Sequence, residues 1–388
     1  MSKKNKYIIF GAPAIGQEEV EEIVRTLKSG WLGTGPKTAK FEQLVSNYVK
    51  AKFGLALNSC TAGLHLSLLV CGVKPGDEVI TTPLTFCATV NAIIHCGAKP
   101  VFVDINKETM NIDENKIEAA ITRKTKAIIP VHMAGRPCEM NAILKIARRH
   151  KLFVIEDAAH ALGARYHGKM IGSIGDLTCF SFYVTKNIIT GEGGMVTTNN
   201  KKFADKMKIY ALHGMSKDAW QRYSDDGYKH YEVIYPGYKY NMTDIHASIG
   251  IHQIKRIEQY DKKREKAWTF YNKSFSDLPI GLPAPIAKNI HHAKHLYTLL
   301  IDKKESGISR NEFMQALHKR GVGTGVHFIP VHLHKYYREH FNYKAGDYPN
   351  AEYIGEKIVS IPLSAKLTDF EVKKVVKIVR ETILGNKK

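Results

Sequence analysis

The sequence predicts an α/β protein in which helices cover both faces of a mostly parallel sheet, followed by a smaller C-terminal α/β domain. Between residues 51 and 198, short β-branched runs alternate with helical stretches. These runs are continuously apolar, which is typical of strands buried on both faces of a parallel sheet. A Pro- and Gly-rich segment at residues 278–285 then precedes a shorter α/β pattern.

The larger region contains strand and helix candidates in alternation. The predicted strands are Gly54–Leu57, Glu78–Thr82, Pro100–Ile105, Ala127–Val131, Leu152–Glu156, Leu177–Tyr183 and Met195–Thr198. The predicted helices between them are Thr61–Cys71, Ala88–Cys96, Asn115–Ile121 and Met140–His150. A long helical stretch from Thr243 to Phe275 follows.

The C-terminal region has its own strands and helix starts. His295–Ile301 and Val322–Phe328 are predicted strands, and capping boxes at Ser309 and Thr368 predict the starts of two helices. We expect a large domain at residues 1–255, including an N-terminal arm, and a small domain at residues 256–388.

The net charge of +20 is compatible with nucleic acid or with an anionic small molecule. Lys and Arg are spread along the chain, as in Lys262-Lys263-Arg264, instead of forming one basic segment. We therefore expect solvated helix faces and no nucleic-acid partner.

The apolar and cysteine patterns concern the cellular compartment. No apolar run approaches the roughly 18 residues of a membrane span, and the apolar stretch at residues 7–10 is too short for a signal peptide. The six cysteines form no C-x-x-C pair, which favours buried reduced thiols. Three nearby histidines, His327, His332 and His334, lack a carboxylate or cysteine to complete a metal site. We expect a cytoplasmic protein without a membrane partner or a metal.

Lys186 follows an apolar run and precedes the glycine-rich segment Gly191-Glu192-Gly193-Gly194. A partly desolvated lysine amine can lose its proton and form a Schiff base with a carbonyl. Asp157 ends another apolar run. A lysine and an aspartate at the ends of buried strands meet the requirements of pyridoxal phosphate (PLP), because the lysine holds the aldehyde and the carboxylate faces the pyridinium nitrogen.

The segment Asn58–Leu64 predicts a phosphate site, since a strand ends there and small polar residues lead into a helix. An ordinary helix cap by Ser59 or Thr61 is the alternative. The Ser181 hydroxyl is a second phosphate candidate, unless it bonds only to the backbone.

Two further side chains are candidates for contacts with the cofactor ring. Phe86 follows a strand end, where it could stack on a pyridine ring or belong to the core. His160 lies three residues after Asp157, where it could hydrogen-bond near the ring hydroxyl or be a polar residue satisfied elsewhere.

Together, these motifs resemble the DegT/DnrJ family of PLP-dependent nucleotide-sugar aminotransferases, which have fold type I. The resemblance runs over nearly the whole chain. It comprises Ser29–Pro36, the phosphate segment, Glu156–His160, Ser181–Asn187 with the glycine-rich segment, Gly237–Asn241 and Gly323–Phe328.

The resemblance implies that Lys186 is the Schiff-base residue and proton shuttle, that Asp157 pairs with the pyridinium and that Phe86 stacks on the ring. It implies phosphate contacts from the Cys60 backbone, Thr61, Ser181 and, from the neighbouring subunit, Asn241. A homodimer with shared active sites follows. Residues near the sugar nucleotide would be His327, Tyr336, Tyr337 and Tyr183, of which the last is a His in some members.

Dehydrating members of the family replace the lysine with histidine, so the presence of Lys186 implies transamination. L-glutamate would leave as 2-oxoglutarate, giving pyridoxamine phosphate, and a 4-keto sugar nucleotide would then receive the amine. The segments at residues 237–241 and 323–328 are most similar to the branch that makes 4-amino sugars on UDP, for amino-sugar or surface-polysaccharide biosynthesis. Two alternatives stay open: a PLP-dependent amino-acid lyase or desulfurase, and a basic nucleic-acid-binding regulator.

Overall fold

The computed structural model describes residues 7–216 and 231–385, so the first six residues of the expected N-terminal arm lie outside the described part. The strands are β1 (Phe53–Leu57), β2 (Glu78–Thr81), β3 (Lys99–Phe102), β4 (Thr125–Ile128), β5 (Phe153–Asp157), β6 (Arg165–Tyr166), β7 (Lys169–Met170), β8 (Leu177–Ser181), β9 (Gly194–Thr198), β10 (Ile290–His291), β11 (Tyr297–Leu300) and β12 (Ile358–Ile361).

The central sheet has the strand order β1-β9-β8-β5-β4-β2-β3. The neighbours β3, β2, β4, β5 and β8 pair in parallel, whereas β9 is antiparallel to both β8 and β1. An antiparallel pair needs no crossover helix, and the connection from β8 to β9 at residues 182–193 contains none. The predicted mostly parallel sheet is confirmed.

The helices cover this sheet and build the C-terminal region. They are α1 (Gln17–Lys28), α2 (Pro36–Val49), α3 (Cys60–Val70), α4 (Cys87–His95), α5 (Glu114–Ile117), α6 (Met140–His150), α7 (Lys201–Ala211), α8 (Asp244–Lys255), α9 (Ile257–Phe275), α10 (Lys303–Ser306), α11 (Arg310–Lys319), α12 (Lys335–Phe341), α13 (Pro349–Lys357) and α14 (Asp369–Leu384). In the described ranges, none of them is long and apolar enough to cross a membrane.

Alternating strand residues contribute to two cores on opposite faces of the sheet. In and just after β4, Ala127 and Ile129 pack with residues of α3, α4 and α7, whereas Ile128 packs with residues of α2, α6 and α8. Because side chains alternate between the two faces of a strand, a strand covered by helices on both faces is apolar throughout. The covering of the sheet by helices on both faces therefore explains the continuous apolar runs of the sequence.

A third core lies in the C-terminal region, where α9, α11 and α14 pack on β11 and β12. Ile8 belongs to this core, and it pairs in parallel with Val322 through hydrogen bonds to Gly321 and Gly323. The N-terminal arm is thereby attached to the C-terminal region. The domain boundary at residues 255/256 stays a prediction.

Two predicted elements differ from the structure. The stretch from Thr243 to Phe275 is two helices, α8 and α9, because Arg256 between them leaves the helical conformation at φ −103° and ψ 4°. Residues 322–328 are not a continuous strand, since in the described part of the chain Val322 and Gly325 form isolated bridges, to Ile8 and to Ser360. The segment then reaches the cavity described next.

Candidate active site

A cavity of about 490 Å³ lies beyond the carboxyl ends of β1, β2, β5 and β8. This edge of an open α/β sheet is where ligands bind. Nine of the residues singled out in the sequence line it: Cys60, Thr61, Phe86, Asp157, His160, Ser181, Tyr183, Lys186 and His327.

The start of α3 forms one wall of the cavity. Ser59 caps the helix, because its hydroxyl accepts a hydrogen bond from the Ala62 amide at 3.1 Å. The amides of Cys60 and Thr61 precede the first intrahelical hydrogen bond, so they can bind an anion. A Cβ on Gly194 would lie 2.3–2.4 Å from backbone atoms of Ser59 and Cys60, so only glycine lets β9 pass this close to the helix start.

Asp157 ends β5 and is buried, and both of its carboxylate oxygens are hydrogen-bonded. Thr89 donates its hydroxyl to Oδ2 at 2.7 Å, and the Ala159 amide donates to Oδ1 at 3.1 Å. The Thr89 hydroxyl also lies 2.7 Å from that of Thr85, which lies just before α4. These contacts fix the orientation of the carboxylate at the cavity wall.

Lys186 is partly buried and lies in the turn after β8. The last residue of β8 is Ser181, so the two residues are not on the same strand. The strand ends early because the chain turns there, with the Lys186 amide bonded to the Tyr183 carbonyl. Burial lowers the pKa of the Lys186 amine to about 8, although the nearby Cys60 and Asp157 side chains act in the opposite direction. A substantial fraction of this amine is therefore neutral near physiological pH.

His160 is a buried, neutral ring at the cavity. Burial lowers its pKa well below the usual value, and the positive charge of Lys186 adds to the effect. Its ring stacks on Phe328 with centroids 6.0 Å apart and lies 4.5 Å from the ring of His295. Its Nδ1 atom is buried without a hydrogen-bond partner among the described residues. A ligand group at the cavity could supply that partner.

Two aromatic side chains project into open space at the cavity. Phe86 is 58% exposed, although it follows a buried strand, and its ring centroid is 5.9 Å from that of Phe328. Tyr183 is also exposed. The exposure of Phe86 favours a ligand-stacking residue over a core residue.

His327 lies at the end of the C-terminal segment that reaches the cavity. Its Nδ1 atom is 2.9 Å from the Ser360 hydroxyl, and its ring stacks on Phe10. Burial lowers its pKa to about 4, so it is neutral at physiological pH. It offers an uncharged polar edge to a ligand.

Three residues that the resemblance assigned to the site do not line this cavity. Asn241 pairs with Leu57, and its amide donates to the Thr34 hydroxyl. Tyr337 is buried and donates its hydroxyl to Asn91, whereas the exposed Tyr336 stacks on His340.

Sequence reasoning missed the residues that support Asp157. Thr85 and Thr89, four residues apart at the start of a predicted helix, gave the only available signal. Behind Asp157, the fully buried His132 and Glu156 are paired at 2.9 Å, and the His132 amide donates to the Asp157 carbonyl. The Cys138 amide donates to His132 Nδ1, so the Nε2 atom carries the proton that Glu156 accepts.

The described residues fit PLP. The cavity combines a partly neutral lysine, a fixed buried carboxylate, a helix start with free amides and an unpartnered histidine nitrogen. No group of three His, Cys, Asp or Glu within the described ranges could hold a metal ion. All six cysteines are free, and burial raises the thiol pKa of each, which argues against a cysteine nucleophile of the desulfurase type.

Comparison with known proteins identifies the family of the chain. The model of the DegT/DnrJ/EryC1/StrS aminotransferase family matches residues 13–380. An uncharacterized protein of Methanocaldococcus jannaschii, MJ1066, is 58% identical over 97% of both chains. The spore coat polysaccharide biosynthesis protein SpsC of Bacillus subtilis is 50% identical over 99% of both chains.

Among solved structures, Spr1654 of Streptococcus pneumoniae carries the name of a sugar aminotransferase. Its PMP-form superposes with a TM-score of 0.91 and 35% identity, over 98% of this chain and 100% of that one. Its PLP-form matches with the same TM-score. The chain therefore belongs to the DegT/DnrJ/EryC1/StrS aminotransferase family and is a PLP-dependent aminotransferase of fold type I.

Proposed function

We propose that this enzyme transfers the amino group of L-glutamate to the 4-keto carbon of a UDP-linked deoxy sugar, for amino-sugar or surface-polysaccharide biosynthesis. The names of its relatives support a sugar acceptor, since SpsC acts in spore coat polysaccharide biosynthesis and Spr1654 is named as a sugar aminotransferase. The net charge of +20 suits an anionic diphosphate.

The observation that carries the proposal is the pairing of Lys186 and Asp157 at one cavity. PLP, when bound, supplies an aldehyde carbon and an electron-withdrawing ring. The Asp157 carboxylate, held by Thr89 and Ala159, would face the ring nitrogen. Lys186 has a pKa of about 8, so its amine can accept a proton from the amino donor and return one to the acceptor.

The remaining cavity residues orient the ligands. The amides of Cys60 and Thr61 at the start of α3, with the Ser181 hydroxyl, bind the phosphate. Phe86 would stack on the cofactor ring, and His160, with its unpartnered Nδ1 atom, would hydrogen-bond near the ring hydroxyl. Tyr183 and His327 contact the sugar nucleotide at the open side of the cavity.

We propose that Asn241 completes the phosphate site of a partner subunit in a homodimer. Its Oδ1 atom is buried and has no hydrogen-bond partner within residues 7–216 and 231–385, yet the side chain does not line the cavity of its own chain. The neighbouring segment exposes Trp31 and Leu32, and α1 exposes Val20, Val24 and Leu27 on one side. An exposed apolar surface of this kind suits a subunit interface. For Tyr336 and Tyr337 we propose contacts to the sugar nucleotide and no role in the subunit interface.

The six free thiols suit a reducing compartment, and we propose that the enzyme acts in the cytoplasm. We also propose the division into domains at residues 255/256, with the cavity enclosed where the C-terminal segment of His327 meets the large domain.

The deciding experiment follows the absorption band of protein-bound PLP before and after addition of L-glutamate. The band bleaches if the amino group moves to the cofactor, and the Lys186→Ala variant shows neither the covalent band nor turnover. A panel of keto sugars on UDP and on dTDP then identifies the acceptor by recovery of the band and by mass spectrometry of the product. Recovery with dTDP sugars alone would overturn the UDP assignment, and wild-type turnover by Lys186→Ala would overturn the mechanism.

A further inference from the structure

Arg264, on α9, is only 2% exposed, and its charge is poorly compensated. Its Nε atom is buried and has no hydrogen-bond partner among the described residues. The nearest carboxylate oxygen, Oδ1 of Asp261, lies 3.9 Å from Nη2, which exceeds hydrogen-bond distance. Asp261 also pairs with His291 at 3.0 Å through its other oxygen.

A buried cation without hydrogen bonds is costly, and proteins compensate it with a nearby anion. Burial lowers the pKa of Arg264 to about 10, with Asp261 acting in the opposite direction. The guanidinium is therefore still charged at neutral pH, and its Nε–H group needs an acceptor.

A small cavity of about 20 Å³ lies beside Arg264. Thr185, Lys186 and Asn187 also line it. A cavity of this size holds one water molecule or one monatomic ion and excludes organic acids. Two other lining residues, Gln253 and Tyr260, already donate to the Ala14 carbonyl, so their donor groups face a backbone partner.

We propose that this cavity binds a single halide ion, chloride in the cell, against the Arg264 guanidinium. An anion is favoured over water because the lining contains the buried guanidinium of Arg264 and no carboxylate. The ion connects α9 to the turn of residues 185–187, which carries the catalytic lysine. The binding site is independent of which sugar the enzyme aminates.

The direct experiment uses bromide as the probe, because bromide replaces chloride and scatters anomalously. Crystals of the PLP-bound enzyme grown in sodium bromide should show an anomalous peak in the small cavity, within hydrogen-bond distance of the Arg264 nitrogens. Density without anomalous signal, as for a water molecule, would overturn the proposal.

A solution experiment compares thermal unfolding in sodium chloride and in sodium gluconate at equal ionic strength, since gluconate is too large for the cavity. We expect chloride to raise the unfolding midpoint of the wild type by about 2–4 °C. The Arg264→Gln variant should lose this difference, and the matched variant of an exposed arginine, Arg123→Gln, should keep it. An equal chloride effect in Arg264→Gln would count against the site, and if that variant does not fold, the bromide experiment on the unaltered enzyme still decides.

Discussion

The cofactor-free enzyme should capture PLP with a pH dependence centred near pH 8, because only the neutral amine of Lys186 attacks an aldehyde. With a pKa of about 8, roughly 10% of the amine is neutral at pH 7. An ordinary lysine, with a pKa of about 10.4, is only about 0.04% neutral at that pH. From the neutral fraction alone, we expect burial of Lys186 to accelerate capture at pH 7 by about 250-fold.

The same reasoning fixes the sign of a second change. The negative charge of Asp157 raises the pKa of Lys186, so the Asp157→Asn variant should move the midpoint of capture to lower pH. The exposed Lys262 provides a matched control, because Lys262→Ala should leave the midpoint unchanged.

Stopped-flow absorbance of the covalent cofactor band, between about pH 6 and pH 10, measures both effects. Lys186→Ala supplies the baseline without a covalent band. A wild-type midpoint of about 10 or higher would refute the argument from burial. An upward shift in Asp157→Asn would refute the assigned electrostatic contact.

Three further predictions address other contacts of the site. Thr89→Val should lower kcat/KM by about tenfold, as expected for the loss of one hydrogen bond to a charged group. Thr89→Ser keeps the hydroxyl donor to Asp157, so its kcat/KM should stay near that of the wild type. Equal kinetics for the Val and Ser variants would contradict this prediction. In the cofactor-free protein, Lys186→Met should raise the free energy of unfolding by about 3 kcal/mol below pH 8, because the folded pKa lies below the unfolded one. That gain in stability shrinks as the pH rises from 8 towards about 10.4. Urea unfolding that gives the same gain at pH 8 and near pH 10.4 would disprove the assignment. Mixed dimers of Lys186→Ala and Asn241→Ala subunits should recover roughly a quarter of wild-type activity if Asn241 serves its partner's site, and no recovery would place Asn241 in its own subunit's site.

The central parts of the site could be predicted because their signals are local. Asp157 and Lys186 each follow an apolar run, and Cys60 follows a strand at a helix start. Strand ends in an open α/β sheet meet at one edge. Chain order alone therefore brings these residues to one cavity.

The supporting contacts depend on tertiary packing and leave no such signal. Thr89 hydrogen-bonds Asp157, which lies 68 residues later in the sequence. The environment of the unpartnered Nδ1 atom of His160 is set by the rings of His295 and Phe328 from the C-terminal region. The direction of β9 could have been inferred from its helix-free connection to β8. The position of Asn241 outside the cavity of its own chain requires knowledge of a partner surface.

The attachment of the N-terminal arm has a consequence for the order of events during synthesis. The Tyr7 hydroxyl contacts His318, 311 residues further along the chain. At a translation rate of about 5–20 residues per second, roughly 15–60 s pass between the synthesis of Tyr7 and that of His318. The central sheet can form in that interval, whereas the C-terminal core, which includes Ile8, is completed only afterwards. Shortening the N-terminus should therefore impair a late stage of folding, the formation of the C-terminal core.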